Sequence, residues 1–228
     1  MKKIPREFQY PTRNFNVVGF EISPTEDGMH INKALTEAQE HGGDPHNTAG
    51  EMRTEDEQLI KRYLGALTEN LLVEYLQSEL GHGVQVVKKP FETYEQHVDI
   101  EIHWDGNMTP LEVRSSFYYA RYLRNIIGKH FKTLGPYSTA RKQGETVKDF
   151  YLQGVLRQNF NIEDIHTLYF TGGAPGHWFL ERGTASTLKQ DGAEYLVLPM
   201  LEGMDAMEIV NAIKSIIQGE RGQAVNRK

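Results

Sequence analysis

The chain of 228 residues contains no cysteine. This absence excludes disulfide bonds, thiolate metal sites and cysteine nucleophiles. No apolar run approaches the roughly 20 residues of a membrane-spanning helix. The basic start Met1-Lys2-Lys3 leads to Pro5 and not to the apolar region of a signal peptide. We therefore expect a cytoplasmic protein with no membrane association. The length of the chain fits one large domain or one domain with an extension.

Acidic residues outnumber basic ones and give a net charge of −6, but they are unevenly distributed. From Leu111 to Arg157 there are nine bases and three acids, a local charge of +6, which leaves −12 for the rest. Such a segment can bind a phosphate backbone, although a solvated helix face is the ordinary explanation. The candidate nucleic-acid-binding residues here are Ser115, Arg121, Arg124, Lys129, Lys132, Arg141, Lys142 and Lys148.

The first part of the chain, residues 1–53, has little periodicity beyond one short strand at 16–22 and one short helix at 31–40. We interpret it as an N-terminal arm or lid. A loop rich in glycine and proline ends this region. It contains three possible metal ligands, His41, Asp44 and His46. That composition favours a plain loop over a metal site.

A long helix is predicted over 54–80, because Thr54 and Glu57 have the spacing of a capping box. Its apolar residues recur every three or four positions and so define a buried stripe. Glu69 falls on an apolar face of this helix. A carboxylate there must find a cation, take up a proton or help to hold a metal. The helix opens a main domain over 54–218, and 219–228 is a polar tail.

The remaining pattern is a mixture of strands and helices. Strands are predicted at 84–88, 97–104, 111–115, 165–170, 178–180 and 195–199. Helices are predicted at 117–127, 147–158 and 204–218. The glycine-rich run 172–176 should interrupt the sheet. This order predicts an α/β fold, specifically an α/β/α sandwich around a central mixed β-sheet.

Three charged residues stand in two neighbouring predicted strands that form a hairpin. Asp99 and Glu112 are embedded in β-branched and apolar residues, and Arg114 shares a strand face with Glu112. Asp99 and Glu101 share a face of the other strand. Unpaired carboxylates in half-buried strands cost several kcal/mol, which suggests that a metal ion offsets their repulsion. The alternative is an ordinary hairpin with solvent-facing acids and an Arg114 ion pair.

These residues resemble the PD-(D/E)XK superfamily of restriction-endonuclease-like nucleases. The resemblance spans about Thr54 to Phe170 and includes the order αβββαβ. It implies Asp99, Glu112, Glu69 and the main chain of Val113 as metal ligands. Two departures are Val98 in place of the motif proline and Arg114 in place of the usual lysine. Because guanidinium stays protonated, Arg114 can stabilise negative charge but cannot act as a base.

We therefore expect a Mg²⁺-dependent endonuclease of the type II restriction class, with Mn²⁺ as a substitute metal. Its catalytic residues would be Asp99, Glu112, Arg114 and Glu69. The substrate would be double-stranded DNA, and a homodimer is expected because a double-strand cut needs two sites. The alternatives are a non-catalytic nucleic-acid-binding protein on the same fold and a structural or assembly protein.

Overall fold

A seven-stranded sheet forms the centre of the protein. The computed structural model describes residues 1–40, 54–90, 98–137, 146–158, 160–187 and 194–225. Within these residues its strands, in chain order, are β1 (Lys2–Gln9), β2 (Asn14–Ile22), β3 (Gln85–Lys88), β4 (Ile100–Trp104), β5 (Asn107–Tyr118), β7 (Phe150–Arg157) and β8 (His166–Pro175). Their order across the sheet is β1-β2-β8-β7-β5-β4-β3. The predicted α/β class and mixed central sheet are confirmed.

Three long helices cover one face of this sheet: α1 (Gly28–Glu40), α2 (Glu55–Leu80) and α5 (Ala206–Val225). Their buried apolar side chains share one core with those of the central strands. The predicted capping box is present at the start of α2. The Glu57 amide donates to Thr54 Oγ1 at 3.2 Å, and the Thr54 amide donates to the Glu57 carboxylate at 3.1 Å. No helix in the described ranges is long and apolar enough to span a membrane.

The opposite face carries a three-stranded sheet with the order β6-β10-β9 and several short helices. The strands are β6 (Lys132–Tyr137), β9 (Thr184–Thr187) and β10 (Glu194–Pro199). The short helices are α3 (Leu123–Asn125), a π-helical turn (Ile126–His130), α4 (Gly176–Arg182) and a 3₁₀ turn (Met200–Glu202). Separate apolar clusters lie beneath this layer. The central sheet is therefore buried on both sides, with the long helices on one side only.

Strand β5 occupies the middle of the fold. It pairs antiparallel with β4 and parallel with β7. The predicted hairpin turn joins β4 to β5, with positive φ angles of 47° at Asp105 and 84° at Gly106. Two successive residues in this conformation make the tight turn whose twist suits a hairpin. The predicted hairpin is thereby confirmed, and β5 contacts a neighbour along both edges.

The N-terminal residues are not a separate arm. Strand β1 pairs with β2, and β2 pairs with β8, so both belong to the central sheet. The interpretation of 1–53 as an arm or lid missed this because β1 is mostly polar and exposed at the sheet edge. At the other end, α5 extends to Val225, well into the predicted polar tail.

Two elements predicted from periodicity have the other secondary structure. Residues 147–158 were expected to be a helix but contain strand β7, whose side chains are buried on both faces of the sheet. A strand buried on both faces loses its polar–apolar alternation and can mimic a helix. Residues 178–180 were expected to be a strand but lie in α4. The predicted helix at 117–127 is reduced to α3 and the π-helical turn, since β5 continues to Tyr118.

Strand β8 continues through the glycines that were expected to interrupt it. Gly172 has φ of 106°, and a Cβ there would lie 2.1 Å from the Met204 carbonyl oxygen. Beside it, the amide of Gly173 donates to the Met204 carbonyl at 2.9 Å, and the reverse bond is 2.8 Å. The absence of a side chain at Gly172 therefore lets the chain before α5 approach the sheet.

Gly172→Ala should lower the free energy of unfolding by about 3 kcal/mol, because it adds both backbone strain and a clash with the main chain. Urea denaturation measures this change. The matched control is Gly219→Ala in α5, where a Cβ meets no atom within 4 Å. It should raise stability by up to about 1 kcal/mol through helix propensity. Similar effects of both substitutions would contradict the close approach at Gly172.

Candidate functional site

Asp99 and Glu112 lie in one row across the central sheet. Ile100 pairs with Leu111, and continuing that register by one residue places Asp99 opposite Glu112. Each residue is 6% exposed. The Val113 amide donates to Asp99 Oδ2 at 2.6 Å, so the main chain of β5 fixes the aspartate that precedes β4. The two acids singled out from the sequence therefore come from adjacent strands and are both buried.

Arg114 forms an ion pair with Glu112, with 3.1 Å between Nη1 and Oε1. Both side chains point away from the long helices, since the alternate residues Leu111 and Val113 belong to the helix-side core. The expected placement of Arg114 on the face of Glu112 is thus observed. The ion pair joins two residues of the same strand.

Three tyrosine rings surround the guanidinium of Arg114. Its central carbon lies 5.2 Å from the ring centroid of Tyr137, 5.9 Å from that of Tyr151 and 5.6 Å from that of Tyr195. The Tyr195 hydroxyl donates to the Tyr137 hydroxyl at 2.9 Å. We call Tyr137, Tyr151 and Tyr195 the tyrosine cage. Cation–π attraction and the ion pair together hold the guanidinium in one place.

Glu69 does not join this row. It forms an ion pair at 2.9 Å with Lys88, whose strand neighbour Ile100 belongs to the helix-side core. Lys88 also contacts Glu37 at 2.8 Å. Burial alone would lower the pKa of Lys88, but attraction to Glu69 and the hydrogen bond to Glu37 raise it above its ordinary value. Lys88 therefore balances Glu69 on the helix side, away from Glu112 and Arg114.

Glu101 shares the face of Glu112 by strand alternation but has its own cationic neighbours. Its Oε2 lies 2.9 Å from His103 Nε2 and 3.5 Å from Lys89 Nζ. Among the described residues, no group of three or more His, Asp and Glu is arranged to hold a metal ion. The expected three-carboxylate set is therefore reduced to Asp99 and Glu112. Two hard oxygen donors still suit Mg²⁺, which usually retains several waters.

The proposed nucleic-acid contacts are only partly on one surface. Ser115 faces α2, near Gly65, and Lys148 is 3% exposed, so neither is open to a large ligand. The exposed residues are Arg121, just before α3, Arg124 on α3, Lys129 on the π-helical turn and Lys132 on β6. Outside the described residues lie Arg141, Lys142, His41, Asp44 and His46. Arg124 also supports the fold, since its guanidinium donates to the Gln9 carbonyl at 2.9 Å.

Sequence reasoning missed Tyr137 and Tyr195. They are paired residues of β6 and β10, and the second sheet brings them over Arg114. No local pattern indicates that contact, because the three strands involved are far apart in the chain. Gln153, considered only as a weak candidate, is fully buried beside the site. Its amide nitrogen lies 3.3 Å from Ser116 Oγ, and its amide oxygen accepts from the Leu134 amide at 3.5 Å.

Comparison with known proteins gives one full-length similarity. The chain is 25% identical to the uncharacterized protein MJECS01 of Methanocaldococcus jannaschii, over 94% of this chain and 96% of that protein. No family model matches the chain. No solved structure matches it either. The similarity therefore extends along most of the length of both chains.

Arg114→Ala should lower the free energy of unfolding by about 3–5 kcal/mol, because it removes the guanidinium that pairs with the largely buried Glu112. Urea denaturation measures the loss. The control Lys2→Ala removes the exposed pair with Glu21 and should cost less than about 1 kcal/mol. Adding Glu112→Gln to Arg114→Met should recover part of the stability lost with Arg114→Met alone. Equal small losses in Arg114→Ala and Lys2→Ala would contradict a structural role for the pair.

Proposed function

We propose that this protein is a divalent-metal-dependent nuclease that hydrolyses phosphodiester bonds of DNA. The observation that carries the proposal is the row formed by Asp99 and Glu112, two buried carboxylates on adjacent strands. Acidic side chains that serve only solubility are normally exposed, so the burial of these two is unusual. Arg114 adds a fixed positive charge beside the second carboxylate.

The order of the elements around this row supports the resemblance to PD-(D/E)XK nucleases. Helix α2 precedes the antiparallel strands β3, β4 and β5, and β7 then returns parallel to β5. That is the order the resemblance implies, with α3 and the π-helical turn in the crossover. In this proposal the fold is a restriction-endonuclease-like core extended by β8, β2 and β1.

In the proposed mechanism, Asp99 and Glu112 would hold the metal, and the Val113 amide orients Asp99 for this task. The chemistry that a bound Mg²⁺ would supply is polarisation of the phosphate and activation of a water molecule. Arg114 remains protonated and stabilises negative charge that develops on the phosphate oxygens. The tyrosine cage keeps its guanidinium ordered. Since Glu69 pairs with Lys88, the proposed mechanism gives it no part.

Charge distribution supports a nucleic-acid substrate. The segment 113–144 contains seven Lys and Arg and no Asp or Glu. Its exposed bases lie on the side of the sheet to which Glu112 and Arg114 point, because α3 packs against the apolar cluster of that face. We propose double-stranded DNA as the partner and a homodimer as the form that cuts both strands.

One observation favours a second candidate, a nucleic-acid-binding protein without turnover. Glu112 is already paired with Arg114, and the tyrosine cage makes that pair costly to open. A guanidinium in place of the usual lysine and the separate position of Glu69 fit the same interpretation. Binding would then use the exposed bases, while the buried pair would serve stability.

Plasmid cleavage in Mg²⁺ or Mn²⁺ tests the nuclease proposal. The wild-type chain should nick or cut the plasmid, while Asp99→Ala and Glu112→Ala should each lower the rate by at least about 100-fold, since each removes a metal ligand. The control Glu163→Ala removes an exposed carboxylate outside the row and should leave the rate unchanged.

Folding is checked in every variant by circular dichroism, so that lost activity is not confused with unfolding. Equal cleavage by all three variants would refute the assignment of Asp99 and Glu112. Absence of cleavage together with a gel shift in Ca²⁺ would favour the non-catalytic candidate. Absence of both would favour a structural or assembly protein.

The salt dependence of DNA binding measures the contribution of the exposed bases. Arg121→Ala should make the slope of log K against log salt shallower by about 1, because one phosphate contact is lost. Fluorescence anisotropy with a labelled duplex in Ca²⁺ provides the measurement. The control Lys33→Ala lies on α1, across the sheet, and should leave the slope unchanged. Identical slopes for the wild type and Arg121→Ala would exclude this surface from phosphate contact.

A further inference from the structure

A cleft of about 510 Å³ lies between the turn after β1, the π-helical turn and the chain that follows β10. Its lining includes the apolar residues Ile127, Phe131 and Leu201. The volume falls in the range of pockets that hold small organic ligands. The cleft therefore offers apolar surface that a planar group of modest size can cover.

Positive charge borders this apolar surface. Lys129 and Lys132 line the cleft, both are exposed, and neither forms an ion pair within the described part of the chain. Arg13 also lines it, but its guanidinium contacts Glu208 and Asp205 and so is already compensated. The charge available to a ligand thus comes from the two lysines. An anionic group is the natural partner for them.

One carboxylate, that of Glu202, lines the same cleft. It repels a simple anion, but it can accept hydrogen bonds from hydroxyl or N–H groups of a larger ligand. A suitable ligand therefore has three parts: an anionic group for the lysines, a flat apolar part and at least one hydrogen-bond donor. A nucleoside monophosphate combines these parts in one molecule of suitable size.

The cleft is separate from the row of Asp99 and Glu112. Strand β6 runs from Lys132 at the cleft to Tyr137 in the tyrosine cage. Five residues of strand span about 16 Å. A ligand in the cleft therefore leaves Arg114 and the two carboxylates uncovered.

We propose that this cleft is a binding site for a nucleoside monophosphate unit, with the phosphate on Lys129 and Lys132 and the base against Phe131 and Leu201. The unit comes either from a free nucleotide or from an unstacked nucleotide of a strand. The second source rests on the proposed function, whereas binding of the free nucleotide does not. An aromatic or apolar floor tolerates any base, so we expect little base preference from stacking alone.

Isothermal titration calorimetry on the full chain tests the site, in EDTA so that cleavage plays no part. Thymidine 5′-monophosphate should bind at least about tenfold more tightly than thymidine or inorganic phosphate, since each of these lacks one of the two contacts. Lys129→Gln and Lys132→Gln should each weaken nucleotide binding by about fivefold. Lys33→Gln is the matched control and should leave the affinity unchanged.

Glu202→Gln separates a nucleotide site from a simple anion site. It should strengthen the binding of inorganic phosphate, because a repulsive charge is removed, with a smaller gain or a loss for the nucleotide. Equal affinities for nucleotide and phosphate would overturn the proposal. So would nucleotide binding that survives both lysine substitutions. These calorimetric results do not depend on whether the protein cleaves DNA. Failure of the nuclease proposal is therefore recognised separately, in the plasmid assay.

A 5′-phosphorylated oligothymidylate distinguishes the two sources of the unit. Competition with thymidine 5′-monophosphate that weakens in Lys132→Gln supports a nucleotide within a strand. Binding of the mononucleotide with no competition by the oligonucleotide supports a free nucleotide. Either result supports the site, whereas absence of binding by both ligands overturns it.

Discussion

The ion pair between Glu112 and Arg114 is the constraint around which the rest of the fold is arranged. Both residues belong to β5, which has strands along both edges and the long helices on its other face. A buried pair of charges is costly unless its surroundings compensate it. The second sheet contributes to that compensation, because β6 and β10 supply two tyrosines of the cage around Arg114. The small sheet therefore both covers the central sheet and stabilises its charges.

A second pair of charges on the helix side of the sheet explains why Glu69 is separate. Lys88 of β3 contacts Glu69 and Glu37 there, which joins α2, α1 and the sheet edge. Paired charges are thus present on both faces of the central sheet. The pair at Glu112 also lies beside a second buried carboxylate, that of Asp99. This difference is the reason that the proposed metal site lies on the face of Glu112.

The predictions from sequence succeeded where the signal is local. The capping box at Thr54, the hairpin turn at Asp105 and the shared face of Glu112 and Arg114 each depend on spacing within a few residues. They failed where burial comes from distant elements. Strand β7 was predicted as a helix because both of its faces are covered, which removes the polar–apolar alternation. The partner of Glu69 is Lys88 of β3, a contact that no local pattern specifies. The cage could not be foreseen, since nothing in the sequence of β6 or β10 specifies Arg114 as its neighbour.

Charge is also divided between the two sides of the molecule. Helix α2 carries six acidic and two basic residues, whereas the segment 113–144 has bases and no acids. A protein with net charge −6 can therefore present a basic surface on the side of Arg114, as the proposed nucleic-acid partner requires. The cleft proposed to bind a nucleotide lies on that same basic side, about 16 Å along β6 from the tyrosine cage. If both proposals hold, a strand bound along β6 would meet the lysine pair at one end and the buried carboxylates near the other, so β6 would set the distance between the two proposed sites.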